Sequence, residues 1–172
     1  RLRAAALGRA SGPPEVFVRG PIWFTRTTNG GTSWQTARSI YDPGPNAQTI
    51  NNTIVVPPSG TVIDFFTHIL PNGGTRIERM VSLDKGASFR APAPVASIAT
   101  VNGVVTPDTQ AFVRDGSILF DVAVDPMNGN LYLVWQDVRF RGIDEIAFSM
   151  SSDGGNSWSS PVRINRTPNN RN

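Results

Sequence analysis

Thr27-Thr28-Asn29-Gly30-Gly31-Thr32-Ser33-Trp34 decides the fold, because the octet returns twice. Ser82-Leu83-Asp84-Lys85-Gly86-Ala87-Ser88-Phe89 is the second copy, and Ser151-Ser152-Asp153-Gly154-Gly155-Asn156-Ser157-Trp158 is the third. The shared pattern is Ser/Thr, any residue, Asp/Asn, any residue, Gly, any residue, Ser, aromatic. Internal self-similarity of this kind marks a repeat architecture. Asn29, Asp84 and Asp153 offer a side-chain oxygen to backbone N–H groups two residues on, which predicts a tight turn. Gly31, Gly86 and Gly155 supply a positive φ at no steric cost. Trp34, Phe89 and Trp158 re-enter a strand and pack over the turn. The octet is a hairpin clasp, and nothing in it performs chemistry.

The sequence around the clasps repeats as well. Ahead of the second copy, residues 52–56 read as a strand, Pro57-Pro58-Ser59-Gly60 as a turn, and residues 61–69 and 75–81 as two further strands; a fourth begins over 88–91. Ahead of the third copy the same order returns, with strands over 119–124, 131–136 and 145–149 and a turn at Asp125-Pro126-Met127-Asn128-Gly129-Asn130. A fourth strand follows over 158–164. The first copy has only short flanking strands, over 16–18, 22–25 and 34–41. The expected fold is all-β, with four antiparallel strands per repeat and the clasp between the third and fourth. Four-stranded sheets repeated in sequence are propeller blades. The chain divides into a basic N-terminal segment (1–14), a partial blade (15–45), a second blade (46–100) and a third blade with a C-terminal tail (101–172).

These octets resemble the Asp boxes of sialidase-like, BNR-repeat β-propellers. Pro126-x-Asn128-Gly129-Asn130-Leu131-Tyr132-x-Val134-Trp135-Gln136-Asp137-x-Arg139 is similar to a blade of bacterial exo-α-sialidase-like proteins, as is Tyr41-Asp42-Pro43-Gly44 followed by Gln48-Thr49-Ile50. The resemblance runs from about Glu15 to the end. It implies a six-bladed ring when complete, of which about two and a half blades are present, so that further blades of the same kind are expected. It also implies a secreted or cell-surface protein, bacterial in origin, that is either a glycoside hydrolase acting on extracellular glycans or a non-catalytic propeller binding carbohydrate or a protein partner. The family's Phe/Tyr-Arg-Ile-Pro motif is not matched: the nearest stretch is Phe17-Val18-Arg19-Gly20-Pro21. The two tyrosines, Tyr41 and Tyr132, stand in no recognisable nucleophile context.

Composition narrows the partners. The net charge is +3, and of the 16 basic residues only Lys85 is a lysine. Arg1, Arg3 and Arg9 cluster at the start, but the other arginines are scattered through strands and turns. No basic run with interleaved aromatics is present, so nucleic acid is not expected; an anionic sugar suits a positive face better. The absence of cysteine excludes disulfides and thiolate metal sites. No apolar stretch approaches the roughly 20 residues of a membrane helix. No cofactor or metal is expected.

Candidate site residues follow from the blade register. Innermost strands line a propeller's channel, and here these are 52–56 and 119–124. Asp121, near the start of the latter, is a candidate acid or base for glycoside hydrolysis, with Asp137 as the second carboxylate. Asp115 and Arg114 stand just before Asp121. Arg139 and Arg141 are candidates to hold a substrate carboxylate; the competing reading pairs Arg139 with Asp137 to organise a loop, with Asp144 and Glu145 answering the arginines. Gln48, Asn51 and Asn52 precede the other inner strand as candidate sugar ligands or turn formers. His68, the single histidine, is expected at the surface or partly packed. Asp125 is read as a turn residue, and the four tryptophans as core or clasp aromatics.

Overall fold

The computed structural model describes residues 18–101, 104–114 and 116–166. The basic segment 1–14, the start of the strand expected over 16–18, Asp115 and the end of the tail lie outside them. Eleven strands are formed and, among the described residues, no helix. In chain order they are β1 (Arg19–Gly20), β2 (Ile22–Phe24), β3 (Arg38–Tyr41), β4 (Ala47–Val55), β5 (Val62–Ile69), β6 (Thr75–Ser82), β7 (Ala93–Ile98), β8 (Phe120–Val124), β9 (Leu131–Asp137), β10 (Glu145–Ser151) and β11 (Val162–Arg163). They make a two-stranded sheet β2-β3, a five-stranded sheet β1-β4-β5-β6-β7 and a four-stranded sheet β8-β9-β10-β11. All pairings are antiparallel except β1 with β4.

The five-stranded sheet is covered on both faces, and β5 shows why. Its side chains alternate across the sheet. Ile63 and Phe65 join the core shared with Val122, Leu131, Leu133 and Trp135 of the four-stranded sheet, where the Thr67 hydroxyl also donates to the Ile118 carbonyl at 2.8 Å. Phe66 faces the other way, packing with Ile22, Met80 and Tyr41 beneath the two-stranded sheet. A strand covered on both faces carries a near-continuous apolar run, and Val-Ile-Asp-Phe-Phe-Thr-His-Ile is one, with Asp64, Thr67 and His68 as its exceptions. The three sheets therefore stack with the five-stranded sheet in the middle.

The strand expected over 52–56 starts at Ala47 and ends at Val55. It runs through a bulge at Asn51 and Asn52, where the pairing with β5 skips from Ile50 to Thr53. Asn51 takes the positive φ (56°) that a bulge needs and that Asn tolerates. Gln48, Asn51 and Asn52 thus belong to the strand itself.

The fourth strands also start late, at Ala93 and Val162. Directly after each clasp one backbone bond forms, Gln35 to Arg26, Arg90 to Val81 and Ser159 to Met150, at 2.9, 2.9 and 2.8 Å. Pro92 and Pro161 then come, without the N–H that a ladder requires.

Candidate functional site

The three clasps are built alike. The Oγ of the first position (Thr27, Ser82, Ser151) donates to the Oδ1 of Asn29, Asp84 or Asp153 at 2.7–2.9 Å. The same Oγ accepts the N–H of Gly31, Gly86 or Gly155 at 2.8–3.0 Å. That Oδ1 accepts the N–H of Ser33, Ser88 or Ser157 at 2.8–3.0 Å. The acceptor side chain therefore reaches four residues on, not two, because the first-position hydroxyl already takes the glycine N–H. Bonds from these serines hold the carboxyls of Asp84 and Asp153 far below the ordinary carboxylate range. They are anionic, saturated acceptors, unsuited to proton transfer.

The residues proposed for chemistry are not brought to one place. Along β9, Leu131, Leu133, Trp135 and Asp137 face the middle sheet, and Tyr132, Val134 and Gln136 face away. Asp121 pairs directly with Val134, so it faces away too, exposed, with its Oδ1 accepting the Val122 N–H. Asp137 is fully buried on the opposite face. Its carboxylate accepts the Trp135 indole N–H at 2.8 Å, the Arg139 N–H at 2.9 Å and the Arg139 guanidinium at 2.7 Å. Burial pushes Asp137 up, but these donors outweigh it and hold the carboxyl below its ordinary value.

Arg139 is equally committed. Its guanidinium donates to the Ser97 carbonyl at 2.7 Å and lies 5.4 Å from the Trp135 ring centroid. Arg141 and Arg163 both pair with buried Glu145, while Asp144 accepts the Val101 N–H. Asn51 Nδ2 donates to the Phe120 carbonyl at 2.8 Å, tying two sheets together, and Asn52 Nδ2 donates to Asp64 at 3.0 Å. Gln48 is half-buried against Gly20, where a Cβ would meet its own at 2.7 Å. Arg114 is exposed in the connection between β7 and β8. Asp125 turns the β8–β9 hairpin by accepting the Met127 N–H at 2.7 Å.

Two expectations are corrected. His68 is buried and its Nδ1 lies 3.0 Å from Glu78 Oε2, because β5 is covered on both faces. Trp23 and Trp34 are 64% and 62% exposed rather than packed in core or clasp, because no described sheet lies beyond β2-β3. Trp135 is core, and Trp158 closes its clasp with an indole N–H to the Gly155 carbonyl at 3.0 Å.

The sequence reading missed Asp64. It is buried, with one carboxylate oxygen bonded to Asn52 and the other without a partner. Burial pushes its carboxyl up to about 6 against that bond. A polar residue inside an apolar strand was the available signal. The reading also missed a cleft of about 510 Å³ at the clasp end of the seam between the five- and four-stranded sheets. Thr61, Arg79, Arg90, Asn128, Asp153 and Asn156 are among its lining residues. Arg79 closes its back by donating to the Gly155 carbonyl at 2.7 Å and to Asn156 Oδ1 at 3.0 Å. Arg90 is exposed at its mouth, with no side-chain partner among the described residues. Among those residues no three His, Asp or Glu side chains converge as a metal site. No protein-family model matches the chain, and no curated protein matches it.

Proposed function

We propose that the chain is a run of Asp-box blades from a sialidase-like β-propeller, and that it works as a non-catalytic module binding an anionic carbohydrate. Three clasps with one hydrogen-bond pattern, set on sheets stacked face to face, support the propeller reading. The observation that carries the non-catalytic reading is the separation of Asp121 and Asp137 onto opposite faces of one sheet. Glycoside hydrolysis by two carboxylates needs them to flank one bond, about 5–10 Å apart in a shared cavity. Asp137, Arg139 and Arg141 are spent on internal pairs. The cleft at the clasp end instead offers a free guanidinium, Arg90, among amide and hydroxyl groups, which suits a sugar acid.

The test is a fluorogenic sialoside assay beside a calorimetric titration with a sialylated oligosaccharide. Folded chain that binds the oligosaccharide without turnover, and loses binding in Arg90→Ala, supports the proposal. Turnover abolished by Asp121→Asn would overturn it in favour of a sialidase-like hydrolase.

A further inference from the structure

The two seams between the sheets follow one plan and are filled differently. At the first, the second clasp sits on the two-stranded sheet: Phe89 meets the Phe24 ring edge-on at 5.1 Å, and a Cβ on Gly86 would strike that ring at 2.7 Å. Two arginines then reach the carbonyls of the clasp. Arg38, which opens β3, donates to those of Gly86 and Ala87 at 2.6 and 2.8 Å. Arg26, just ahead of the first clasp, donates to that of Asp84 at 3.3 Å and to that of Lys85.

At the second seam the third clasp sits on the five-stranded sheet in the same way. Trp158 meets the Phe65 ring edge-on at 5.9 Å, and a Cβ on Gly155 would lie 3.1 Å from Arg79, which takes the place of Phe24. The arginine pair is replaced. Aligning Thr27 with Ser82, the first positions of two clasps, sets Arg26 on Val81 and Arg38 on Ala93. Ala93 opens β7 as Arg38 opens β3. Neither side chain carries a donor, and both line the cleft of about 510 Å³.

The carbonyls of the third clasp are accordingly half satisfied. That of Gly155 accepts Arg79 Nε at 2.7 Å and the Trp158 indole at 3.0 Å, and that of Asp153 accepts Asn156 Nδ2 at 2.6 Å. Those of Gly154 and Asn156, the counterparts of Lys85 and Ala87, accept no hydrogen bond among the described residues, and both residues line the cleft. The Asp153 carboxylate balances the charge of Arg79 at the back. The cleft thus has open acceptors on its clasp wall and the Arg90 guanidinium at its mouth.

We infer that the anionic sugar of this cleft also carries an amine. Its acid group meets Arg90, and its ammonium donates to the Gly154 and Asn156 carbonyls as Arg26 and Arg38 donate at the first seam. The ligand class is an amino sugar joined to a sugar acid, for which a cleft of this volume has room. This rests on the reading of the cleft as a site for an anionic carbohydrate.

Calorimetric titration at about pH 6, where the amine is protonated, tests it with a glucuronic acid–glucosamine disaccharide and its glucuronic acid–glucose counterpart. The expected result is about tenfold tighter binding of the amine-bearing sugar, the worth of one hydrogen bond from a charged donor. Ala93→Arg should lose that preference, because its own guanidinium takes the carbonyls, and should melt about 2–4 °C above the parent. Val81→Arg, the counterpart of Arg26, replaces it if that chain does not fold. Equal affinity for the two sugars, both lost in Arg90→Ala, overturns the inference and leaves the anionic-sugar reading standing. Binding of neither removes both. An Ala93→Arg chain that keeps the preference, or melts no higher than the parent, overturns the inference as well.

Discussion

Asp121 and Asp137 lie on opposite faces of one sheet, the first in solvent and the second sealed against the neighbouring sheet by Trp135 and Arg139. They therefore fail differently when removed. Asp137→Ala leaves a guanidinium and an indole N–H without their acceptor, and breaking a buried ion pair costs about 3–5 kcal/mol. Asp121→Ala removes an exposed carboxylate and changes stability by no more than about 0.5 kcal/mol. Urea unfolding of both variants checks this; equal effects would contradict the face assignment.

Asp64 predicts a pH dependence. Its folded carboxyl titrates at about 6, above the ordinary value of 3.8 that the unfolded chain has. The folded state binds this proton more tightly, so the contribution of Asp64 to stability is highest below about pH 4. As pH rises the unfolded chain ionises first, and stability falls until the folded carboxyl has also ionised, near pH 6. The loss from this group is about 2–3 kcal/mol. Asp64→Asn should lack that fall and exceed the parent in stability above pH 6. The difference between the two unfolding curves from pH 4 to 7 isolates it from the clasp aspartates, whose depressed values act at lower pH.

Lys85 occupies the fourth clasp position with φ 57°, where the other two clasps have Gly30 and Gly154 at 67° and 72°. A left-handed conformation costs an L-residue roughly 1–2 kcal/mol, part of which glycine gives back through its larger unfolded-state entropy. Lys85→Gly should stabilise the chain by about 0.5–1 kcal/mol. Lys85→Ala, which keeps the strain, should not, and thermal melts of the pair separate backbone strain from loss of the charge.

The clasps were legible because their logic is local. A hydroxyl, an acceptor and a glycine at fixed spacing define the turn wherever it sits, and reading the acceptor's reach as two residues instead of four did not change that. The strands β5, β6, β9 and β10 were legible for the same reason, since each is a short run bounded by turn residues. What packs against a face is not local. His68, polar and near the end of its strand, reads as a surface or partly packed histidine; only the apolar run ahead of it signals that both faces of β5 are covered. The parity that separates Asp121 from Asp137 appears only once β8 is paired with β9, because two residues on different strands share a face by register alone. Asn51 hid within the turn vocabulary: it does have a positive φ, but as a bulge inside β4, where its amide ties β4 to Phe120.

The three fifth-position glycines give the last prediction. Gly31, Gly86 and Gly155 have φ of 89°, 81° and 86°, so alanine brings similar backbone strain at each, about 1–2 kcal/mol. Their surroundings differ. At Gly31 the new methyl meets nothing among the described residues. At Gly155 it presses on Arg79, which is held by two hydrogen bonds to the clasp, and on Leu131 at 3.3 Å. At Gly86 it strikes the Phe24 ring, itself fixed against Phe89. Overpacking of this kind adds about 1–3 kcal/mol. Destabilisation should therefore rise from Gly31→Ala through Gly155→Ala to Gly86→Ala. Chemical unfolding of the three variants measures the order. Equal losses at all three would mean that the second and third clasps are not seated on the sheets before them.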